Sequence, residues 1–244
     1  MAYSFRWLRS LVFVGQMYLM MPVFALFFTI PALLSRDWAY RGIRTYCHWV
    51  RWTARWMVGL RSELRGTPPK SEALIAAKHQ SFFDIIILFS ETPRPKFIMK
   101  KELRWAPIFG WYALRIGCVP VDRGKKGAAI SEMVEAARKG RNAPGQLIIY
   151  PQGTRVAPGA SRPYKVGAGV LYEEFSQDCF PAATNVGVFW PRTGVFRKPG
   201  LAVVEFLPVI KAGMPVETFM AHLEEVVENA SDRLMAEAGF RKEG

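Results

Sequence analysis

The feature that most constrains the fold is a short apolar run that ends in a cluster of polar residues. Residues 73–77 read ALIAA, and residues 78–84 follow with KHQSFFD. A run of this length is typical of a buried strand. Residues 85–89 are apolar again, so the polar cluster lies where a strand gives way to a turn and a helix start. Because backbone donors and ligand clefts lie at such junctions in α/β proteins, the pattern predicts an α/β fold with a site at this strand end.

Within this cluster, His79 and Asp84 lie five positions apart. An imidazole takes up a proton near neutral pH, and a neighbouring carboxylate fixes its tautomer and stabilises the imidazolium. The pair is therefore a candidate general base. The commoner meaning of such a spacing is a surface histidine beside a helix-capping aspartate. Of the other histidines, His48 lies in a basic segment and His222 beside acidic residues, so only His79 has a suitable setting.

The N-terminal part of the chain contains a long apolar segment. Residues 10–35 include no charged residue, and about 20 apolar residues suffice for a helix to cross a bilayer core. Pro22 and Pro31 tend to bend such a helix. One interpretation is a single kinked span, and another is a half-inserted helical hairpin. A cleaved signal peptide fits less well, because the run is long and no small-x-small site ends it.

An arginine-rich and tryptophan-rich segment comes next. Arg41, Arg44, Arg51 and Arg55 fall within a sector of about 80° on one helix face. A basic stripe edged by tryptophan is typical of a helix in the lipid headgroup region, and the alternative is a solvated face of an ordinary helix. Six arginines follow the apolar run and two precede it, which favours a cytoplasmic location for the downstream chain.

A Gly-Thr-Pro-Pro sequence at residues 66–69 predicts the domain boundary. Residues 1–65 are expected to form a membrane anchor and a basic interfacial helix. Residues 66–244 are expected to form the α/β domain that carries the site.

The net charge of +13 is concentrated in two blocks. Residues 1–60 carry seven Lys/Arg and one acidic residue, and residues 94–126 carry nine and two, so these blocks account for the whole surplus. A nucleic-acid binder would rarely place a basic block beside a long apolar run. An anionic lipid surface and a phosphorylated substrate explain the blocks better, so no nucleic-acid partner is expected.

The three cysteines, Cys47, Cys118 and Cys179, are widely spaced. Their odd number and spacing favour a reduced, cytoplasm-facing domain. They show no metal-like pairing, so no metal site is predicted.

The rest of the chain alternates predicted strands and helices, as in α/β proteins. The predicted strands are 116–121, 147–150, 180–189 and 201–210, and the predicted helices are 127–139, 165–175 and 215–238. The strand at 147–150 ends in the turn PQGTR at residues 151–155. This turn exposes backbone amides and directs Arg155 across the sheet edge, which suits an anion site, although a structural ion pair is the alternative.

Four blocks in series resemble the lysophospholipid acyltransferase superfamily, which includes the 1-acylglycerol-3-phosphate acyltransferases. They are residues 78–84 (KHQSFFD), 101–123 (KEL to VDR), 150–155 (YPQGTR) and 180–181 (FP). The likeness runs from about residue 70 to residue 210, and the spacing between blocks is also similar. In the third block the family usually has glutamate where this chain has Gln152, and the fourth block is loosely matched.

The resemblance implies a glycerol-3-phosphate acyltransferase-like fold, which is α/β with a central, mostly parallel sheet flanked by helices and an N-terminal helical membrane anchor. It also implies transfer of a fatty acyl group from acyl-CoA or acyl carrier protein to the sn-2 hydroxyl of lysophosphatidic acid, giving phosphatidic acid in phospholipid biosynthesis. No metal or organic cofactor is implied. The enzyme would be attached to the bilayer with its catalytic domain on the cytoplasmic face, at the inner membrane in a bacterium.

The resemblance further implies a role for each matched residue. His79 would remove the hydroxyl proton during attack on the thioester, and Asp84 would orient the imidazole. A second group of residues would hold the acceptor phosphate or stabilise oxyanion charge. This group comprises Lys101, Arg123, Gly153, Thr154 and Arg155.

Three alternatives remain open at this point. The acceptor can be another lysolipid, such as a lyso-ornithine lipid or a lysophospholipid with a larger headgroup, because Gln152 removes a charge from the third block. The same base can also activate water, which would make the chain a thioester hydrolase. The last alternative is a non-catalytic protein that binds anionic lipid through its basic segments.

Overall fold

The centre of the molecule is a seven-stranded sheet in a computed structural model that describes residues 2–122, 126–140 and 144–241. The strands are β1 (Leu60–Arg65), β2 (Ala73–Ala77), β3 (Pro95–Lys100), β4 (Val119–Val121), β5 (Gln146–Ile149), β6 (Cys179–Thr184) and β7 (Gly200–Phe206). Their order across the sheet is β1-β7-β6-β2-β5-β3-β4. Every neighbouring pair is parallel except β6 and β7.

Seven α-helices accompany this sheet in the described ranges. They are α1 (Ala2–Leu34), α2 (Arg36–Met57), α3 (Phe82–Glu91), α4 (Phe109–Arg115), α5 (Lys126–Gly140), α6 (Gly167–Phe175) and α7 (Val216–Glu237). The predicted α/β class, with a mostly parallel sheet flanked by helices, is confirmed.

Both faces of the sheet are covered, and β2 shows this most directly. All five of its residues are buried. Ile75 and Ala77 pack into the core shared with α1 to α4, whereas Leu74 and Ala76 pack into the core shared with α5 to α7. Successive side chains of a strand point to opposite faces, so a strand covered on both faces is apolar throughout. This explains the uninterrupted ALIAA sequence.

Several strand bounds differ from the predicted ones. The predicted strand at 116–121 is reduced to β4, because Ile116 caps α4 and Gly117 has a φ of +87°. The predicted strand at 180–189 ends at Thr184, where a 3-10 turn, Val186–Val188, begins. The sequence did not predict β1 or β3.

The N-terminal helices form an antiparallel hairpin, since Gln16 bonds to Thr53 and Tyr46 bonds to Met17. Pro22 and Pro31 lie inside α1 without ending it. Among the described residues, α1 is the one helix long and apolar enough to cross a membrane. A proline inside a long helix is tolerated where neighbouring groups satisfy the freed backbone acceptors.

Both ends of α1 are bonded to the α/β domain. The Arg197 N–H donates to Ser10 Oγ at 3.0 Å, near the start of the helix. The Arg115 guanidinium donates to the carbonyls of Ala32 and Leu33 at 3.0 and 3.1 Å, near its end. The apolar helix therefore lies along the domain.

The arginine stripe of α2 is divided between two environments. Arg44 donates to the carbonyls of Thr92 and Pro93, and Arg51 bonds to side chains in β1 and at the end of α3. Arg41 and Arg55 are exposed. Half of the predicted lipid-facing stripe thus docks α2 on the domain. The sheet itself begins at β1, before the predicted boundary at residue 66.

Candidate active site

His79 and Asp84 meet at the carboxyl end of β2, where α3 begins. His79 Nδ1 lies 2.9 Å from Asp84 Oδ1. The other carboxylate oxygen accepts the backbone N–H groups of Gln80 and Ser81, at 2.9 and 2.8 Å. The Ser81 hydroxyl in turn accepts the Phe83 N–H, so serine and aspartate form a capping box that starts the helix. The local sequence therefore fixes Asp84 before any ligand is bound.

A buried tyrosine completes the surroundings of the imidazole. The rings of Tyr150 and His79 stack, with centroids 3.9 Å apart and an interplanar angle of 17°. The Tyr150 hydroxyl donates to Asp84 Oδ1 at 3.4 Å. Burial raises the pKa of the Tyr150 phenol well above its usual value, and the Asp84 carboxylate raises this pKa further. Tyr150 therefore stays protonated and acts as a donor to the carboxylate.

These contacts determine which imidazole nitrogen can accept a proton. A carboxylate accepts from Nδ1–H, so the neutral ring leaves Nε2 unprotonated. The His79 side chain is 13% exposed, whereas the Asp84 side chain is 1% exposed. The His79 imidazole is therefore partly accessible to solvent, whereas the Asp84 carboxylate that orients it is buried. The imidazole can take a proton from an alcohol or from water.

The turn after Tyr150 is bonded to the backbone of the histidine. The Gly153 N–H donates to the Tyr150 carbonyl at 2.8 Å, and the Val156 N–H donates to the His79 carbonyl at 2.8 Å. Gly153 has a φ of +70°, and a Cβ there would lie 3.2 Å from Lys165 Cε and Nζ. Only glycine takes up this conformation without strain, so the PQGTR sequence produces this tight turn.

Arg155 and Thr154 lie within that turn and are partly exposed. The Arg155 guanidinium donates to the Arg192 carbonyl at 3.2 Å. In the described part of the chain it forms no ion pair with a carboxylate, so its charge is available to an anion. Arg155 directly precedes Val156 in the chain, and the Val156 N–H bonds to the His79 carbonyl.

Lys101 and Asp122 mark the ends of two further strands on the same sheet edge. Lys101 follows β3 and Asp122 follows β4, and their side chains lie 3.4 Å apart. Because β2, β5, β3 and β4 are adjacent and parallel, their carboxyl ends share one edge. Two strand spacings, roughly 10 Å, separate the ends of β2 and β3. The predicted phosphate ligand Arg123 lies outside the described residues.

Two residues near His79 were missed as site candidates from the sequence. Tyr150 is the last residue before the PQGTR turn, and this position was its only sequence signal. Glu228 lies far along the chain in α7, yet it bonds to Lys78, the residue before His79. No local pattern around residue 228 indicates such a contact.

Within the described ranges, no group of three or more His, Cys, Asp and Glu side chains could hold a metal ion.

Comparisons with known proteins identify a family for this chain. An acyltransferase family model matches residues 61–185. A 1-acyl-sn-glycerol-3-phosphate acyltransferase of Pseudomonas aeruginosa is 26% identical over 213 residues, which cover 86% of this chain and 83% of that protein. The human 1-acyl-sn-glycerol-3-phosphate acyltransferase alpha is 33% identical over 118 residues, covering 47% of this chain and 42% of the human protein.

The fold is also similar to a solved structure. The crystal structure of the 1-acyl-sn-glycerophosphate acyltransferase from Thermotoga maritima superposes with a TM-score of 0.77 at 19% identity, covering 95% of this chain and 99% of that one. The family model spans about half of the chain and includes the strand ends that carry His79, Asp84 and Arg155. On this basis the chain belongs to the acyltransferase family.

Proposed function

We propose that this enzyme transfers a fatty acyl group from acyl-CoA or acyl carrier protein to the sn-2 hydroxyl of lysophosphatidic acid, giving phosphatidic acid. The observation that carries the proposal is the 2.9 Å contact between His79 and Asp84, beside the turn that holds Arg155. The names of the similar proteins support this acceptor.

The reaction follows from the tautomer of His79. Nε2 takes the proton of the acceptor hydroxyl while its oxygen attacks the thioester carbonyl, forming the C–O bond. Asp84 stabilises the imidazolium that results. The tetrahedral intermediate then collapses, the C–S bond breaks, and the leaving thiolate takes the proton from the imidazolium. Because a thioester is already activated, this route requires no acyl-enzyme intermediate and no organic cofactor.

The acceptor phosphate would be held by cationic groups along the same sheet edge. Arg155 follows β5 and Lys101 follows β3, at the same edge of the sheet as His79. A guanidinium binds phosphate through two parallel N–H bonds, which fixes orientation as well as charge. Backbone N–H groups around Gly153 and Thr154 would add donors. Arg123 is part of this proposal by the family motif alone.

Membrane attachment would bring this site to its lipid substrates. Most of the apolar segment of α1 is not buried in the protein, and Leu26 and Phe27 are each 82% exposed. Trp105, in the turn after β3, is 75% exposed. Such surfaces are stable in the acyl-chain and headgroup regions of a bilayer. We place the catalytic domain on the cytoplasmic face, as the arginine distribution favours.

The decisive experiment uses the full-length protein in lipid micelles with labelled acyl-CoA, with and without lysophosphatidic acid. We expect acceptor-dependent phosphatidic acid, and a fall of about 10²- to 10⁴-fold in turnover for His79→Ala, because a general base contributes this much. His222→Ala is the matched control, since His222 is exposed on α7. It should leave turnover unchanged.

Two results would contradict the proposal. Free fatty acid released without acceptor would favour the thioester hydrolase, and full activity of His79→Ala would exclude the imidazole as base. Parallel assays with a lyso-ornithine lipid and with lysophospholipids of larger headgroup test the acceptor. If any of these lipids is acylated faster than lysophosphatidic acid, that lipid is the preferred acceptor.

A further inference from the structure

An ion pair between a buried lysine and a partly exposed glutamate, whose side chain is 29% exposed, lies directly beside the candidate base. The Lys78 side chain is 2% exposed, and its Nζ lies 2.7 and 2.6 Å from the two carboxylate oxygens of Glu228. Lys78 immediately precedes His79 at the end of β2. Glu228 comes from α7, outside the residues that the acyltransferase model matches. The pair therefore connects the last helix of the chain to the catalytic strand end.

The Glu228 carboxylate neutralises the charge of the buried Lys78 ammonium. A lysine ammonium removed from water is strongly unfavourable unless a carboxylate is bonded to it. Glu228 supplies that carboxylate and also accepts the Tyr164 hydroxyl at 2.9 Å. Burial raises the pKa of the Tyr164 phenol, and the Glu228 carboxylate raises this pKa further, so Tyr164 remains a donor. Lys78 and Tyr164, which are far apart in the chain, thus both donate to this carboxylate.

The amide at position 152 donates to this cluster through its nitrogen, which an ionised acid could not do, while its Oε1 is buried without a hydrogen-bond partner among the described residues. The Gln152 side chain is buried, and its Nε2 donates to the Arg162 carbonyl at 3.1 Å and to Glu228 Oε1 at 3.4 Å. A glutamate here would place a second carboxylate against Glu228 and against a carbonyl oxygen, with no proton to share. Like charges at this distance repel, and the partial exposure of Glu228 weakens this repulsion without removing it.

The backbone that carries His79 depends on neighbours of this kind. The Lys78 N–H donates to the Ala182 carbonyl at 2.8 Å. The Gln80 side chain accepts the Gly187 N–H at 3.0 Å. The bond from Lys78 to Glu228 fixes the side chain on one side of His79, as the Gln80 contact does on the other. A small displacement of this segment would move Nε2 relative to the acceptor hydroxyl.

We propose that Glu228 supplies from α7 the carboxylate that the family motif usually carries at the position of Gln152. Through Lys78 it acts as a positioning residue for His79. This inference rests on the proposed acyltransferase function and extends it to a helix that the family motifs do not include. On this view the amide of Gln152 stands where the family has an acid, and Glu228 carries the acid in this chain.

The test is a double-mutant cycle in the full-length protein, with Glu228→Gln, Gln152→Glu and the combined variant. Glu228→Gln should lower kcat about tenfold, with the KM for lysophosphatidic acid changed less than about twofold, as for lost positioning. The combined variant returns a carboxylate to the cluster and should recover kcat to within about threefold of wild type. Glu225→Gln, at an exposed position of the same helix, is the control and should match wild type.

Thermal unfolding of the wild type, the two single variants and the combined variant gives a second readout that does not depend on activity. Gln152→Glu alone should lower Tm, because two carboxylates meet at a partly buried position. The loss of Tm in the combined variant should be smaller than the sum of the losses in the two single variants. The inference is wrong if Glu228→Gln keeps the wild-type kcat, or if the combined variant is no better than Glu228→Gln. If the wild-type protein is inactive on lysophosphatidic acid, the proposed function is rejected instead. The Tm values of the double-mutant cycle would still show whether a carboxylate at position 152 can replace the one at position 228.

Discussion

At the scale of single residues, Asp84 combines a structural and a chemical task. One carboxylate oxygen caps the backbone at Gln80 and Ser81, and the other meets His79 and Tyr150. A carboxylate with four donors cannot rotate, so the imidazole bonded to it is held in one tautomer. The helix start and the orientation of the His79 imidazole are therefore determined by the same side chain.

Arg155 provides the sharpest residue-scale prediction, because its one described hydrogen bond is to a carbonyl. Arg155→Ala should raise the KM for lysophosphatidic acid about 10- to 100-fold, since a hydrogen bond to a charged group is worth about 1.5–3 kcal/mol. The KM for the acyl donor should change by less than about twofold if the arginine contacts only the acceptor. Initial-rate kinetics with each substrate varied in turn measures both constants.

The matched control is Arg138→Ala, which removes an exposed arginine near the end of α5 that is paired with Glu174 near the end of α6. It should leave both constants unchanged. Equal losses for donor and acceptor in Arg155→Ala would contradict a phosphate-binding role.

At the scale of elements, α2 holds the N-terminal hairpin on the sheet. Its buried face contains Val50 and Ala54, both 0% exposed. Arg51 then bonds to Ser62, Ser90 and Glu91, joining α2 to β1 and α3. The helix is therefore docked by an apolar face and a partly buried arginine together.

Replacement of Arg51 should separate docking from lipid contact. Arg51→Met removes a cation that is 15% exposed and leaves Glu91 and two hydroxyls without their partner. We expect the free energy of unfolding to fall by about 1–3 kcal/mol, measured by urea denaturation in detergent. Arg55→Met, at an exposed position of the same helix, should change it by less than about 0.5 kcal/mol. Equal effects of the two changes would show that Arg51 does not dock the helix.

At the scale of the whole molecule, the exposed apolar surface of α1 and the basic charge both favour contact with a lipid bilayer. The helix is bonded to the domain near both ends, so its exposed face is fixed relative to the sheet edge that carries His79. A net charge of +13 favours binding to anionic lipid. We therefore expect membrane attachment to depend on the exposed face of α1 together with this charge.

We expect a triple change on that surface, Leu26→Ser with Phe27→Ser and Ile30→Ser, to weaken binding to anionic vesicles. These side chains are 72–82% exposed, so their replacement leaves the core intact. Each buries apolar surface worth about 1.5–3 kcal/mol in lipid, so co-sedimentation should fall at least tenfold, an order-of-magnitude estimate. Val166→Ser, an exposed apolar residue beside α6, is the control. Unchanged sedimentation of the triple variant would show that attachment lies elsewhere.

The sequence by itself determined the features that depend on neighbours along the chain. An apolar run of strand length followed by polar residues predicted β2 and the junction after it. The proximity of His79 and Asp84 was predictable because a capping aspartate at the start of a helix faces back toward the preceding turn. The glycine of the PQGTR turn likewise required a tight bend. The roles of these residues in catalysis remain proposals.

Only the tertiary structure decided the contacts between distant parts of the chain. The charged sequence LRSELR becomes β1 because β7 offers it a parallel partner, which outweighs its weak strand propensity. Arg51 turns inward because α3 presents Glu91 to it. Tyr150 stacks on His79 because β5 lies beside β2, and Glu228 reaches Lys78 because α7 packs across the sheet. Local sequence encodes helices, strands and turns through short-range sterics and hydrogen bonds, whereas these pairings exist only once folding has excluded water between elements that are far apart in the chain.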